Sequence, residues 1–301
     1  MTYPTIVVPD NASTQLEQLG TKPKFWFEDR EGTETLFKEG YPGSGEHWAE
    51  KIACEVARQL GLPHAEYELA TWRGRPGVVS PNLAAGKARL ILGNEVLAKV
   101  FSGYQASERR RDSQHTLSRV AAVLSNTASV ATPAGWDRPP DIADAFGVFA
   151  GYLLLDALIG NQDRHQLNWG LIRSSEGRLM LAPTFDHASS LGRNESDKVR
   201  RERIMTRDKG RSLETYAQRA RSGLYRNQGS PRPMLTLEAF ADAHKLSPTA
   251  GGYWLHRVAV LPPDSFEAIT QAVPDTMIAD AARDFALRLM LINRERLLAL
   301  M

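Results

Sequence analysis

Cysteine is almost missing from this sequence: Cys54 stands alone. One thiol excludes an intrachain disulfide and any zinc centre built on several cysteines, so a reducing, cytoplasmic compartment is the expectation. Charge of one sign is not in excess either. The 37 Lys and Arg nearly cancel the 35 Asp and Glu, for a net +2. Global charge therefore offers no argument for membrane or direct DNA binding, and any such argument must be local. Long hydrophobic runs are lacking too. The most apolar stretch, AFGVFAGYLLL from Ala145 to Leu155, is 11 residues long and bounded by Asp144 and Asp156, too short to span a bilayer. It reads as a buried helix. The first residues, MTYPTIVVPDNAST, lack a charged segment followed by an apolar core, so no signal peptide is expected. With 42% hydrophobic and 24% charged residues and no internal repeat, the 301 residues suit one large globular domain or two modest ones.

The front of the chain is strand-rich. KFWFED and ETLFKEG flank a turn, and AEYELATW and RPGVVS flank an Arg-Gly turn. Between these pairs, Ala49, Ile52, Ala53, Val56, Ala57 and Leu60 recur with helical spacing, and Gly61 and Pro63 end that helix. From Gly86 onward helices dominate: near GNEVLAKVF, near QHTLSRVAAVL, from Ile142 to Ile159, and through PDTMIADAARDFALRLMLINRERLLALM at the end. The expected fold class is α+β, with a small strand-rich lobe over residues 1–82 and a larger helical lobe over residues 83–301. A ligand would sit in the cleft between them.

Two segments carry the chemistry. LIGNQDRHQLNWGLI, Leu158–Ile172, is a polar loop between a helix and an apolar strand, and LAPTFDHASSLG, Leu181–Gly192, delivers a second acid, Asp186. A hairpin between them would bring Asp163, Asn168 and Asp186 together. A carboxylate and an amide oxygen form a hard-oxygen pair suited to Mg2+, and a separate acid can orient an attacking hydroxyl. Phosphoryl transfer needs that division of labour.

GNQDRHQLN followed by FDHASS resembles the catalytic and metal-binding segments of the HipA-like serine/threonine kinases, and its DRHxxN core is similar to that of the phosphatidylinositol 3/4-kinases. The resemblance implies a two-lobed protein-kinase-like fold using ATP and Mg2+. Asp163 would be the catalytic acid, Asn168 and Asp186 the metal ligands, and His165 a neighbour of the transferred phosphoryl group. Lys38 of TLFKEG would hold the ATP phosphates, and Glu50 rather than Glu46 would hold Lys38. Val78 to Asn82, including Val79 and Ser80, would offer backbone groups to adenine. Gly20, Thr21 and Lys22 take the place of the family's phosphate loop without its serine. FDH stands where ordinary protein kinases have Asp-Phe-Gly, and the extra N-terminal subdomain of the longer HipA proteins has no room here. Relatives phosphorylate tRNA-charging enzymes, which implies a translation-related protein substrate and, for a toxin, an antitoxin partner.

Plainer roles compete for several residues. Asp156 would either bond the backbone of the catalytic loop or pair with an arginine, and Cys54 would be a small core residue. Glu46 would be a favourable charge in the first turn of its helix. The segment from Arg193 to Arg226 has 11 Lys and Arg against 5 Asp and Glu, either a solvated loop followed by a helix or a docking face for an acidic or nucleic-acid-bound substrate. Ser189, Ser190 and Ser212 are candidates for autophosphorylation. The competing functions are a lipid or small-molecule kinase, a catalytically inactive ATP-binding module, and a metal-dependent nuclease using His165 and Asp186.

Overall fold

The computed structural model describes residues 2–12, 15–16, 24–106 and 111–301, with the side chains of residues 15 and 16 left aside. The expected phosphate loop at Gly20, Thr21 and Lys22 lies outside these residues.

The fold is α+β. A six-stranded sheet contains β1 (Thr5–Val8), β2 (Gln15–Leu16), β3 (Lys24–Glu28), β4 (Glu34–Glu39), β5 (Glu68–Trp72) and β6 (Arg75–Pro81), in the order β1-β5-β6-β4-β3-β2. Only the β1–β5 pair is parallel among these. Local chemistry sets the two hairpins. Asp29 caps the first, its Oδ1 accepting from the Glu31 and Thr33 amides at 2.9 Å, and Arg73-Gly74 closes the second with both φ angles positive, the two-residue turn that matches strand twist.

Alternation along the strands sorts this sheet into two faces. Phe25, Phe37, Trp72 and Val79 pack together on one face with Val8, with the Phe25 and Trp72 rings 4.9 Å apart. Trp26, Leu36, Lys38, Val78 and Ser80 face a cavity on the other.

Helix α1 (Glu46–Leu60) connects the two hairpins. Nearly all of it is buried, and Trp48, Ile52, Val56 and Leu60 share one apolar cluster with the helices that follow. A second sheet, β7-β8-β9, joins β7 (Arg89–Leu92), β8 (Gly170–Arg173) and β9 (Leu179–Leu181). The remaining helices are α2 (Gly93–Val100), α3 (Leu117–Leu124), α4 (Ala145–Ile159), α5 (Asp197–Met205), α6 (Leu213–Gln218), α7 (Thr236–Leu246), α8 (Pro248–Val260), α9 (Pro263–Gln271) and α10 (Asp280–Leu298).

The apolar run does form a helix buried on all sides. It starts at Ala145 rather than Ile142 because Asp144 caps it, accepting the Gly147 amide at 2.8 Å. The final helix starts at Asp280, not at Asp275. Arg283 reaches back to the Val273 carbonyl (3.0 Å) and to Asp275 (2.6 Å), holding the preceding turn out of the helix. The basic segment holds two short helices, α5 and α6, each capped by a serine, Ser196 and Ser212. No helix among the described residues is long and apolar enough to cross a membrane.

Candidate active site

Helix α4 ends at Gly160, whose φ of 64° turns the chain into the polar loop. One turn earlier Asp156, 1% exposed, organises that loop. Its carboxylate accepts from the Asn161 side chain (2.8 Å) and from two nitrogens of Arg164 (2.8 Å each), and its carbonyl accepts from the Asn161 amide (2.8 Å). Of the two roles foreseen for Asp156, the carboxylate fills the pairing with an arginine; the backbone of the loop is bonded by its main-chain carbonyl instead. Arg164, wholly buried, donates onward to the Asn168 carbonyl (2.7 Å) and the Thr184 hydroxyl (2.9 Å).

The chain of contacts continues into the other segment. Thr184 Oγ1 lies 2.7 Å from His187 Nε2. The Thr184 hydroxyl, which also accepts from Arg164, thus joins His187 to the loop, and His187 Nδ1 lies 3.5 Å from Glu50. The His187 amide donates to Glu50 Oε1 at 2.7 Å. Glu50 is fully buried on α1, with its other carboxylate oxygen 3.7 Å from Lys38 Nζ, and Lys38 in turn binds Asp186. One connected path thus runs from α4 through the loop to α1 and β4. At Lys38–Glu50 and Glu50–His187 the links are ion-pair distances of 3.7 and 3.5 Å rather than hydrogen bonds, so charge carries the path there.

Asp186 sits at φ 57°, in a left-handed conformation that aspartate tolerates better than most residues. Its amide donates to the Tyr67 hydroxyl at 3.2 Å. Desolvation opposes charge on both members of the Lys38–Asp186 pair. Their attraction overrides it, holding the Asp186 carboxyl well below the usual carboxylate range and raising Lys38 above its ordinary value.

Asp163 lies on the other side of the loop. His165 Nδ1 accepts from the Leu167 amide (3.2 Å), so its hydrogen is on Nε2, which faces Asp163 at 3.3 Å. The Ser189 hydroxyl donates to Asp163 at 3.2 Å and accepts from Arg193 at 3.1 Å. Asn168 donates its amide NH2 to the Asp163 carbonyl at 2.8 Å. Its amide oxygen is therefore the atom left to face the cavity beside Asp186.

Lys38, Asp186, Asn168, Val78 and Ser80 line a cavity of about 530 Å3, with Leu36, Leu90, Leu92, Leu167 and Phe185 as apolar walls. Asp163 faces a second cleft. Val79, expected with Ser80 to offer backbone groups, turns its side chain to the opposite face of the sheet, while the side chains of Val78 and Ser80 face the cavity. Glu46 is more than a first-turn charge. It is buried, pairs with Arg193 and accepts the Tyr41 amide at 3.2 Å. Sequence reasoning missed Tyr67, Thr184 and Arg193. Only the position of Thr184, two residues before Asp186, hinted at any of them.

No family model matches the chain. Over 145 residues, 48% of its length, it is 26% identical to the serine/threonine-protein kinase CtkA of Helicobacter pylori strain J99, and the match spans 40% of that relative. The crystal structure of a Helicobacter pylori proinflammatory kinase CtkA superposes with a TM-score of 0.69 at 18% identity, covering 99% of each chain. The HipA structure from the Shewanella oneidensis MR-1 toxin–antitoxin system, solved with HipB and operator DNA, gives 0.58 at 12% identity over 95% of this chain and 65% of that one. The fold is that of the HipA-like kinases. Within a HipA-like fold, the Lys38–Glu50 contact joins the strand-rich sheet to α1, while Asp163, Asn168 and Asp186 come from two loops at the foot of the helical part.

Proposed function

We propose that the chain is an ATP-dependent serine/threonine protein kinase of the HipA-like type. The observation that carries this reading is the Lys38–Asp186 pair lining one cavity, with the buried Glu50 behind Lys38, while Asp163 opens on another across the same loop. The apolar walls of the first cavity suit an adenine ring, and Lys38 suits phosphate oxygens. The hard oxygens of Asp186 and Asn168 fit Mg2+, which when bound would neutralise charge on the transferred phosphate. Asp163, held by His165 and Ser189, orients the substrate hydroxyl and accepts its proton. The hydroxyl oxygen bonds to the γ-phosphorus as the bond to the departing ADP breaks. His165 acts through Asp163 as a positioning residue.

The test is transfer of label from γ-labelled ATP to protein. Asp163→Asn should lower the rate by at least about a hundredfold while nucleotide binding persists. Labelling of lipid alone, or labelling unchanged in Asp163→Asn, would sink the reading. The finer reading is a toxin acting on a translation-related protein such as a tRNA-charging enzyme and held by an antitoxin; the toxin–antitoxin part is supported by the Shewanella HipA system. It predicts growth arrest on expression that Asp163→Asn relieves.

A further inference from the structure

The second cleft carries a charge that phosphoryl transfer itself does not use. Its volume is about 580 Å3, and Arg111, Arg193, Arg219, Arg221 and Arg232 line it, with Asp163 as the one carboxylate among the described lining residues. Arg193 pairs with Glu46, and Arg221 donates to the Pro233 carbonyl at 2.7 Å. Arg111, Arg219 and Arg232 are exposed and make no ion pair among the described residues. The cluster is built by folding, since its members come from three separated parts of the chain. Like charges gathered at one opening raise the energy of the empty cleft, and an anionic occupant relieves it.

Asp163 lies in this cleft, so whatever presents a hydroxyl to it must pass the arginines. Planar guanidinium forks bind carboxylates in pairs of parallel hydrogen bonds. Nucleic acid fits less well, because single strands need free aromatic faces for stacking. Of the two tyrosines lining the cleft, Tyr225 is buried, and Tyr216 packs edge-on against Phe285 with Arg203 over its ring at 4.9 Å. We propose that the arginine-lined cleft selects an acidic peptide segment, with Asp and Glu flanking the serine or threonine presented to Asp163. This rests on the kinase reading for its catalytic part and on the cleft alone for binding.

Two sets of fluorescein-labelled serine peptides test it, one flanked by Asp and Glu and one by Lys and Arg. Without ATP, anisotropy should show the acidic set bound at least about tenfold more tightly at low salt, with the advantage shrinking as salt is added. With ATP, kcat/KM should rank the peptides in the same order. Arg219→Glu with Arg232→Glu should reverse the preference, and Arg219→Lys with Arg232→Lys should keep its direction. Melting curves check that the variants fold. Equal binding of both sets, or a preference unmoved by the charge reversal, would overturn the proposal. So would a single-stranded RNA that binds more tightly than the acidic peptides and loses that binding in the charge-reversed variant. Acidic peptides bound but not phosphorylated would leave the preference standing and count against the kinase reading instead.

Discussion

Asp156 and Arg164 form an ion pair with almost no solvent access, and each carries further hydrogen bonds. Desolvating two charges is costly, so such a pair contributes little net stability against an apolar substitute. Removing one partner is another matter. Asp156→Ala strands a buried guanidinium and should cost about 3–5 kcal/mol, read from urea melts. Asp156→Leu with Arg164→Met should recover much of that stability but not phosphoryl transfer, since the Asn168 carbonyl and Thr184 hydroxyl lose their donor. Recovery of full activity in the double variant would refute an organising role for the pair. At this scale the acids and amides of the loop stood out in the sequence, and the fold does join Asn168 to Asp163 and to the cavity that Asp186 lines. Their supports did not stand out. Thr184 and Tyr67 are ordinary strand-flanking residues until folding brings them to Arg164 and Asp186.

His115, ahead of α3, ties two elements together. Its Nδ1–H donates to the Gly223 carbonyl at 3.0 Å, and its Nε2 accepts from the Trp169 indole at 3.0 Å. Gly223 is required there, since a Cβ would lie 2.5 Å from the His165 amide nitrogen. The arginine-lined cleft is thereby pinned against the loop that carries Asp163. Protonating His115 would turn Nε2 from acceptor to donor against another donor, and burial pushes its pKa down to about 4. The unfolded chain takes up that proton near pH 6.5 and the folded chain only near 4. Stability from this residue is therefore complete above pH 6.5 and lost as pH falls from there to about 4, by roughly 3 kcal/mol. Melting temperature against pH checks this. His115→Gln should make the acid limb shallower without abolishing it, because burial lowers His47 and His64 in the same direction. Elements with strong periodicity, α1 and β3 to β6, were readable from sequence. Strand β7 was not, because Arg89–Leu92 gains its partner only from β8, nearly 80 residues on. Helices α5 and α6 merged into one basic segment because composition there outweighed periodicity.

Across the whole molecule, the sheet and the helices do not meet at a slippery surface. Helix α1 contributes Trp48, Ile52, Val56 and Leu60 to the core that contains α4 and α8. Around it, the Gly45 amide bonds the Arg193 carbonyl (3.1 Å), the Ala65 amide the Thr184 carbonyl (2.9 Å), and Arg257 the Leu60 carbonyl (3.1 Å). The two parts should unfold together. Far-UV and near-UV signals are expected to trace one coincident urea transition, and a fragment of residues 83–301 alone should lack a cooperative one. Separate transitions would show that α1 is held less firmly than its burial implies.

The seating of α1 has a consequence for control. Glu50 keeps its contact with Lys38 through a helix whose other sides are wedged into apolar core. Swinging that helix outward, as a switch would require, means opening the core to water. Such a helix has no cheap outward position. Restraint that leaves α1 in place would act elsewhere, through how much of the protein the cell makes, how fast it is destroyed, or what is laid across its mouth.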